Sequence, residues 1–337
     1  MNRLRRYLIP FLALAATPAY AAERLPIIDM HLHAREADYA GPNPPPLCAP
    51  FAVMPRMNRD ATDLEFNGEP CADPIFPGKT TDQIRRDTLA VMQARNIIGM
   101  VSGGSREAMA PWVAAAPERI IVGRDLRILP RDGKPAPAVA ELRAAYQRGE
   151  FQVLGEVMAQ YEGVRPDDPR LEPYWALAEE LDIPVGIHMG PGGPGDPYFG
   201  SPGYRASGSS AFGIEAVLVR HPKLRVWIMH AGYPLAEDLR AVMFAHPQVY
   251  VDIASIVYTE PRPAFYAFLK ELVDAGYGDR IMFGSDQMIW PGVIEPSIRC
   301  IEAAPFLTAA QKRDILYNNA ARFLRLSAAE QARHRGL

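Results

Sequence analysis

The sequence predicts an α/β protein, a (β/α)8 TIM barrel, and three observations lead to this fold class. Eight short apolar segments have the length and composition of buried strands. A helix-like segment follows each of them, as in a parallel sheet with crossover connections. Polar side chains of metal-binding type end several strands, where the catalytic groups of a barrel collect. An open doubly wound sheet is the alternative, and it would not bring these strand ends to one axis.

The first strand is predicted over residues 26–33, where an apolar run ends with His31 and His33. Because successive side chains of a strand point to opposite faces, these two histidines share a face and can reach one metal ion. The seven later strands are predicted at 97–101, 119–123, 151–157, 184–188, 225–230, 249–253 and 280–283.

The helices are predicted between these strands and after the last one. Thr80 and Gln83 form a predicted capping box at the start of the first helix, which runs through Met92. The other helices are expected at 107–116, 138–147, 171–181, 212–220, 235–245, 264–275, 296–304 and 308–324.

Residues 34–79 are predicted to be a loop insertion, because the segment is rich in proline. A loop of this length in a compact domain needs a function or a cross-link. Cys48 and Cys71 supply the cross-link if they form a disulfide, as a pair of cysteines does in an oxidising compartment. Cys300 is then left as a buried helix residue.

Residues 1–21 are predicted to be a cleavable signal peptide. Arg3, Arg5 and Arg6 precede a short apolar run, and residues 19–21 offer a cleavage site. The apolar run is too short to cross a bilayer, and no later stretch reaches the roughly 20 residues of a transmembrane helix. We therefore expect an exported, periplasmic protein whose single domain covers residues 22–337. The arginine pair also fits a loose twin-arginine pattern, so the export route stays open.

The composition excludes some partners. The chain has 337 residues, 48% hydrophobic and 22% charged, which is ample for a globular core. Loss of the three arginines leaves 33 basic against 39 acidic residues, so the net charge moves from −3 to −6. An acidic exported chain indicates a small-molecule substrate and no nucleic-acid partner. The oligomeric state stays open, with a homodimer as one option.

Three later strand ends carry side chains that suit a metal site. His188 ends the fifth strand, His230 ends the sixth and Asp286 follows the eighth. Each alone would be a satisfied polar residue at a strand end. Together with the two histidines of the first strand, they meet at one mouth only in a barrel.

This set of strand ends resembles the amidohydrolase superfamily, specifically the amidohydrolase-related branch that contains aminocarboxymuconate-semialdehyde decarboxylase. The segment from Tyr317 to Leu324 is similar to the closing Asn-Ala-x-x-x-Leu/Phe helix of that branch. The resemblance covers residues 27–324. It implies that one divalent ion, Zn²⁺, binds four side chains while His230 lies outside them and faces substrate; the four are His31, His33, His188 and Asp286.

Glu156, at the end of the fourth strand, has two readings. Related barrels place a glutamate or a carboxylated lysine there to bridge a second metal ion. Alternatively, Glu156 hydrogen-bonds a histidine that binds the first ion. Weaker candidates for orienting substrate are Asp252, Arg124 and Asp125, and the residues we place outside the site are His221, His246 and His334.

The residue chemistry points to catalysis by Asp286 and His230. Imidazoles and a carboxylate suit Zn²⁺, which lowers the pKa of a bound water towards 7. Asp286 is predicted to contact the metal and accept the proton of that water, and His230 to polarise a substrate oxygen through its ring N–H. The loop 190–203 is predicted to be either a lid over the site or a plain connection.

We therefore predict a metal-dependent hydrolase in which activated water attacks an ester, lactone or amide carbonyl. The alternative is a metal-dependent non-oxidative decarboxylase of an unsaturated or aromatic acid, since the resembling branch includes both activities. Export favours hydrolysis, because the usual decarboxylase substrates are cytoplasmic metabolites. A non-catalytic metal-binding protein would instead have a closed four-ligand site.

Overall fold

The computed structural model describes residues 25–55, 72–130, 135–198 and 200–337. In this part of the chain, eight parallel strands lie side by side in chain order, which confirms the predicted (β/α)8 barrel. The strands, β1 to β8, are Ile27–His33, Ile97–Ser102, Ile120–Leu126, Val153–Val157, Val185–His188, Val226–Met229, Val249–Asp252 and Ile281–Met282.

The barrel closes through a seam between β1 and the end of β8. His33 N donates to Gln287 O at 3.1 Å, and Asp286 N donates to His31 O at 2.8 Å. Met30 N donates to the first residue after β8 at 2.9 Å. Because β8 itself has only two residues, the loop that follows it supplies most of this pairing.

Twelve α-helices surround the strands within the described residues. In chain order, α1 to α12 are Thr81–Arg95, Arg106–Ala115, Val139–Gln147, Glu172–Glu180, Phe212–Arg220, Ala236–Ala245, Ile256–Thr259, Arg262–Asp274, Ile294–Glu302, Ala309–Arg313, Asn319–Phe323 and Ala328–Gly336.

The helix pattern differs from the prediction in two places. The helix expected at 308–324 is α10 and α11 joined by a π-helical turn, Asp314–Asn318. Two helices were not predicted. α7 is a single turn and too short to show helical periodicity, whereas α12 has no apolar stripe and begins at a capping box between Ser327 and Glu330.

The predicted capping of α1 is present only in part. Thr80 accepts the N–H of Gln83 at 3.1 Å, as expected at a helix start. The Gln83 side chain accepts the N–H of Lys79 rather than that of Thr80, so the helix lacks the reciprocal half of the box. One of the free N–H groups at the helix start, that of Gln83, is still satisfied.

The lumen of the barrel is filled below the site by side chains that include Met30 and Trp227, both fully buried. Gly186 on β5 makes room for this indole, because a Cβ at position 186 would lie 2.4 Å from the Trp227 ring. Phe323 of α11 packs edge-on against Trp227, with ring centroids 5.5 Å apart. The bottom of the barrel is therefore closed, and its open end is the face where the strands end.

Several predictions lie wholly or partly outside the described residues. Residues 1–21 are among them, and so is Cys71, so its predicted pairing with Cys48 stays a prediction. The described parts of the loop 34–79 meet in one bridge, between Leu47 and Ile75. Cys300 is a free, buried residue of α9, as predicted. No described helix combines the length and the apolar character that a membrane span requires.

Candidate active site

The structure brings the six predicted site residues together at the open end of the barrel, and all are buried; they are His31, His33, Glu156, His188, His230 and Asp286. Two of them lie in the segments that follow β6 and β8. His230 has φ 60° and Asp286 has φ 54°, in the left-handed region that non-glycine residues seldom adopt. Such strained positions are frequent at functional sites, where the surrounding structure holds them.

A bulge in β1 turns its two histidines into the lumen. The register of β1 against β2 shifts between Asp29 and Leu32. Asp29 holds this bulge with one carboxylate oxygen, which accepts the N–H of His31 and the N–H of Ser285, both at 3.0 Å. The shared face predicted for His31 and His33 is therefore present, with a bulge directly before it.

Three of the side chains form a compact group of possible ligands. His31 Nε2 lies 3.1 Å from His33 Nε2. Asp286 Oδ1 lies 3.1 Å from His33 Nε2 and 3.6 Å from His31 Nε2. Two atoms bound tetrahedrally to one zinc at about 2.0–2.1 Å lie roughly 3.4 Å apart. The three atoms are thus spaced as ligands of one ion.

Glu156 lies between this group and His188. Its Oε2 is 3.9 Å from His31 Nε2 and 3.8 Å from His33 Nε2, and its Oε1 is 3.9 Å from His188 Nε2. These separations are too long for hydrogen bonds but fit ligands that share an ion. Glu156 belongs both to a group with the β1 histidines and to a group with His188 and His230, each compact enough for one ion.

Asp252 orients the histidines and is not free to hold substrate. It is fully buried, and its Oδ2 accepts from His31 Nδ1 at 3.2 Å and from Trp227 Nε1 at 3.0 Å. Its Oδ1 accepts the N–H groups of His230 and Ala254 at 2.9 and 3.0 Å. This corrects the weaker prediction that Asp252 orients substrate, because all its contacts fix the site from behind.

Gln160 orients the ring of His188 through a hydrogen bond, as Asp252 orients that of His31. Its Oε1 accepts from His188 Nδ1 at 2.8 Å and from Gly190 N at 3.0 Å, while its Nε2 donates to Gly190 O at 3.0 Å. The two bonds to Gly190 fix which end of the amide is the oxygen, so His188 carries its proton on Nδ1. Its Nε2 lone pair then faces Glu156, as a metal ligand requires.

His230 is held in a similar way. Its Nδ1 lies 2.9 Å from the carbonyl oxygen of Ala254, which can only accept a hydrogen bond. The neutral His230 ring therefore presents a lone pair at Nε2 to the cluster, and it can donate there only when doubly protonated. Its ring centroid is 4.6 Å from that of His188 and 5.0 Å from that of His31.

The titratable side chains of the cluster have pKa values that are shifted in different directions. Burial opposes protonation of His31, yet the carboxylates of Asp286 and Asp252 raise its pKa to about 10. Burial would raise the pKa of Asp286, but His31 and His33 hold it well below its usual value. Burial raises the pKa of Glu156 to about 7 and lowers the pKa of His188 far below its usual value. Asp286 is thus an ionised carboxylate at neutral pH.

Other predicted side chains lie elsewhere or at the edge of the site. Asp125 faces the mouth and pairs with Arg35, whereas Arg124 points towards Glu141. The three histidines that we placed outside the site are indeed remote from it, and each has a partner of its own; they are His221 with Glu172 and Glu179, His246 with Glu215, and His334 with Tyr317.

Sequence reasoning missed four residues of the site. Asp29 and Gln160 position ligands, Arg35 lies two residues after β1 and pairs with Asp125, and the Tyr161 ring lies 4.4 Å from the His188 ring. The spacing His31, His33, Arg35 could have found the arginine, because residues two apart share a face of a strand. Loop conformation determines the contacts of Gln160 and Tyr161, and no pattern in the sequence predicts it.

The fold and the site define a class, the (β/α)8 enzymes that bind a divalent metal at the ends of their strands. A family model described as Amidohydrolase matches residues 28–326. The chain therefore belongs to the amidohydrolase family, a family of metal-dependent enzymes that contains hydrolases and carboxy-lyases. Members of this superfamily typically bind a divalent metal, and the buried histidines and carboxylates described above could hold one here. No curated protein matches the sequence.

Solved structures share the fold at low sequence identity. An uncharacterized TIM-barrel protein from Bordetella bronchiseptica is 19% identical, with 91% of this chain and all of that chain covered and a TM-score of 0.57. The 5-carboxyvanillate decarboxylase of Sphingomonas paucimobilis is 17% identical over 71% of this chain and 82% of that chain, with a TM-score of 0.54. A probable 2-pyrone-4,6-dicarboxylic acid hydrolase from Acinetobacter baumannii is 13% identical over 90% of this chain and 100% of that chain, with a TM-score of 0.55.

Proposed function

We propose that this protein is a Zn²⁺-dependent hydrolase of an ester, lactone or amide. The observation that carries the proposal is the orientation of the histidines. His31, His188 and His230 each bond an acceptor through Nδ1, which leaves each Nε2 facing the carboxylates of the cluster as the nitrogen that a metal ion would take. Imidazole nitrogens and carboxylate oxygens are the donors that zinc takes in catalytic sites. When bound there, the ion supplies a Lewis acid and an activated water.

The side chains at the mouth of the barrel would then have two different roles in hydrolysis, proton transfer and metal binding. Asp286 is held ionised by the histidines beside it, and its side chain is 11% exposed, so it can accept a proton from attacking water. The same carboxyl group can return that proton to the leaving group. With a single ion, His31, His33 and His188 would hold it, which is the set of histidines that the family resemblance implies.

The position of Glu156 supports a second ion. Its two oxygens face different histidines, and one carboxylate shared by two groups of ligands is the arrangement of a two-metal site. His188 and His230 would then hold the second ion, which suits the Nε2 lone pairs that they present. Two-metal sites are frequent in enzymes that activate water, so this arrangement favours hydrolysis.

The second candidate is metal-dependent decarboxylation of an unsaturated or aromatic acid. The observation in its favour is the similarity of the fold to proteins named as decarboxylases, among them the 5-carboxyvanillate enzyme. One experiment separates the candidates. Purified protein is loaded with Zn²⁺ and assayed on a panel of esters, lactones and amides, and in parallel for CO₂ release from aromatic and unsaturated acids. Release of CO₂ without hydrolysis of any panel member would reverse our choice.

Metal analysis of two variants tests the assignment of ligands. His33→Ala removes one ligand of the compact group, so bound metal should fall sharply while the far-ultraviolet circular dichroism spectrum stays unchanged. His230→Asn should lower the zinc content from two equivalents to one if Glu156 bridges two ions. With a single ion, His230→Asn should keep all the metal and lose only activity. Unchanged metal content in His33→Ala would place the site elsewhere.

A third variant tests the base. Asp286→Asn keeps the shape and an oxygen that can bind metal but cannot accept a proton. We expect kcat to fall by about 10²–10⁴, the usual worth of general acid–base catalysis, with metal only partly lost. Turnover that survives in Asp286→Asn would show that another group is the base.

We also propose that the protein is exported to the periplasm. The support is the basic, apolar and small-residue order of positions 1–21. N-terminal sequencing of protein recovered from the periplasmic fraction should begin at Ala22. An intact Met1 on protein found only in the cytoplasm would contradict export.

A further inference from the structure

We propose that a cavity on the outer side of β5 is a second binding site, which takes a carboxylate with an apolar body and acts as an effector site for the metal cluster. The effector role rests on the proposed function, because it assumes that the cluster binds zinc. The cavity has a volume of about 430 Å³, within the usual range for small-molecule sites. Its lining comes from residues within 159–166, 187–189 and 205–213, and we call it the β5 cavity.

The β5 cavity lies between β5 and the start of α5, outside the lumen of the barrel. Neighbouring side chains of a strand point to opposite faces, so Ile187 points towards the helices when His188 points into the lumen. A Cβ at Gly213 of α5 would lie 3.3 Å from Met189 Cε and 3.5 Å from Pro166 Cδ. The lack of a side chain at Gly213 therefore keeps this space open.

Much of the cavity wall is apolar. Ile187 and Met189 are almost fully buried, and Val164 and Pro166 are buried beside them. Phe212 also lines the cavity, although 48% of this residue is exposed. A ligand with an aromatic or branched apolar body would remove more of this surface from water, which is favourable.

The charged side chains of the wall are all positive. Arg165 and Arg205 line the cavity, and no carboxylate is among its described lining residues. Arg165 pairs with Asp167 at 2.8 Å, but the Arg165 side chain is 73% exposed, so this pair contributes little. Arg205 donates to the carbonyls of Pro202 and Tyr204 at 2.8 and 2.7 Å and has no carboxylate within ion-pair distance in the described parts of the chain. A ligand carboxylate would supply the missing partner.

Gln160 connects the β5 cavity to the metal cluster. It lines the cavity, and its Oε1 accepts from Nδ1 of His188 at 2.8 Å. Its Nε2 lies 3.2 Å from the carbonyl oxygen of Arg205, the same residue whose guanidinium would meet the ligand. A Cβ at Gly208 would lie 2.8 Å from Gln160 Cγ, so the loop packs closely on this side chain. A ligand that moves Arg205 therefore acts on the amide that orients His188.

The first test measures binding to the zinc-loaded protein. Calorimetric titrations compare 4-iodophenylacetate with 2-(4-iodophenyl)ethanol, which has the same apolar body without the charge. We expect the acid to bind about 10- to 100-fold more tightly, the usual effect of a charge-assisted contact. Anomalous scattering from crystals soaked with the acid should place iodine between β5 and α5. Iodine at the metal cluster alone would overturn the proposal.

Two variants and a matched control locate the binding in solution. Gly213→Leu fills the cavity and should lower the affinity for the acid by about tenfold or more. Gly336→Leu makes the same change in α12, where a Cβ would have nothing within 4 Å, and it should bind the acid as the wild type does. Arg205→Gln should reduce the preference for the acid, and it remains informative if Gly213→Leu does not fold, because Arg205 is exposed.

The second test measures the effector role through zinc affinity, with a zinc-binding dye as competitor. Saturating acid should change the zinc affinity of the wild type and of Gly336→Leu by about fivefold or more, and that of Gly213→Leu not at all. Acid that binds without changing zinc affinity would refute the effector role. Equal binding of acid and alcohol, or a preference that survives in both cavity variants, would refute the site. Failure of the proposed function appears separately, as protein that takes up no zinc.

Discussion

At the scale of single residues, the hydrogen-bond partners of the histidines that we assign to the metal decide which ring nitrogen each histidine can offer. An imidazole binds a metal only through a nitrogen without a proton, so the acceptor on its far side selects the binding nitrogen. Gln160 and Asp252 perform this selection for His188 and His31. The four histidines and two carboxylates at the strand ends could be predicted from sequence because strand order alone brings them together. Gln160 lies in the loop after β4, where only the folded backbone brings it to His188.

Gln160→Leu should therefore weaken metal binding while leaving every assigned ligand in place. The loss of a partner of this kind typically costs 10- to 100-fold in metal affinity. Gln160→Glu keeps the acceptor for His188 Nδ1 and is the control. A competition titration with a zinc-binding dye measures both variants, and equal affinity in Gln160→Leu and wild type would show that His188 is not a ligand.

The proton on His31 predicts how metal binding depends on pH. Burial opposes this proton, but Asp286 and Asp252 raise the pKa of His31 to about 10, so the metal-free protein carries the proton at neutral pH. An incoming ion must displace it, because the metal takes the same Nε2 lone pair. Metal affinity should fall as the pH falls, by about tenfold per unit for each proton displaced. Zinc added to weakly buffered protein at pH 8 should release protons, and an unchanged indicator signal would contradict this.

At the scale of secondary structure, the eight strands of the barrel could be predicted more fully than the bulge in β1 and the last helix, α12. Alternating apolar strands and helices are a strong pattern over many residues, and all eight strands lie where the pattern placed them. The bulge in β1 was not predicted, because it depends on Asp29 accepting the N–H groups of its neighbour His31 and of Ser285, which is distant in sequence. The polar helix α12 shows no apolar periodicity, and only its capping box marks it.

The closure of the barrel bottom by α11 leads to a stability prediction. Phe323 is 3% exposed and packs against the rings of Trp227 and Tyr250, with centroids 5.5 and 5.0 Å away. Phe323→Ala should lower the free energy of unfolding by about 3–5 kcal/mol, the usual cost of removing a buried phenylalanine. Phe244 of α6, which is 85% exposed, offers the control Phe244→Ala, and urea denaturation compares the two. Similar unfolding midpoints would show that α11 does not close the barrel.

At the scale of the whole molecule, export and the long loop after β1 belong to one prediction. The chain has three cysteines, and Cys300 is buried in α9 at a distance in sequence from the other two. If Cys48 and Cys71 are joined in an oxidising compartment, denatured, non-reduced protein should show about one free thiol per chain. Three thiols in protein recovered from the periplasm would exclude the disulfide.

The seam between β1 and β8 would give a bound metal ion a structural role as well as a chemical one. His31 and His33 lie on one side of the seam and Asp286 on the other, so an ion that binds all three ties the two ends of the strand sequence together. Such an ion would cross-link the first and last strands of the barrel, in addition to the three backbone hydrogen bonds that join them. Removal of the ion by a chelator should speed hydrogen exchange at the N–H groups of Met30, His33 and Asp286 more than at those of β5 and β6. Equal exchange rates at these N–H groups with and without metal would show that the barrel closes between β1 and β8 without help from the ion.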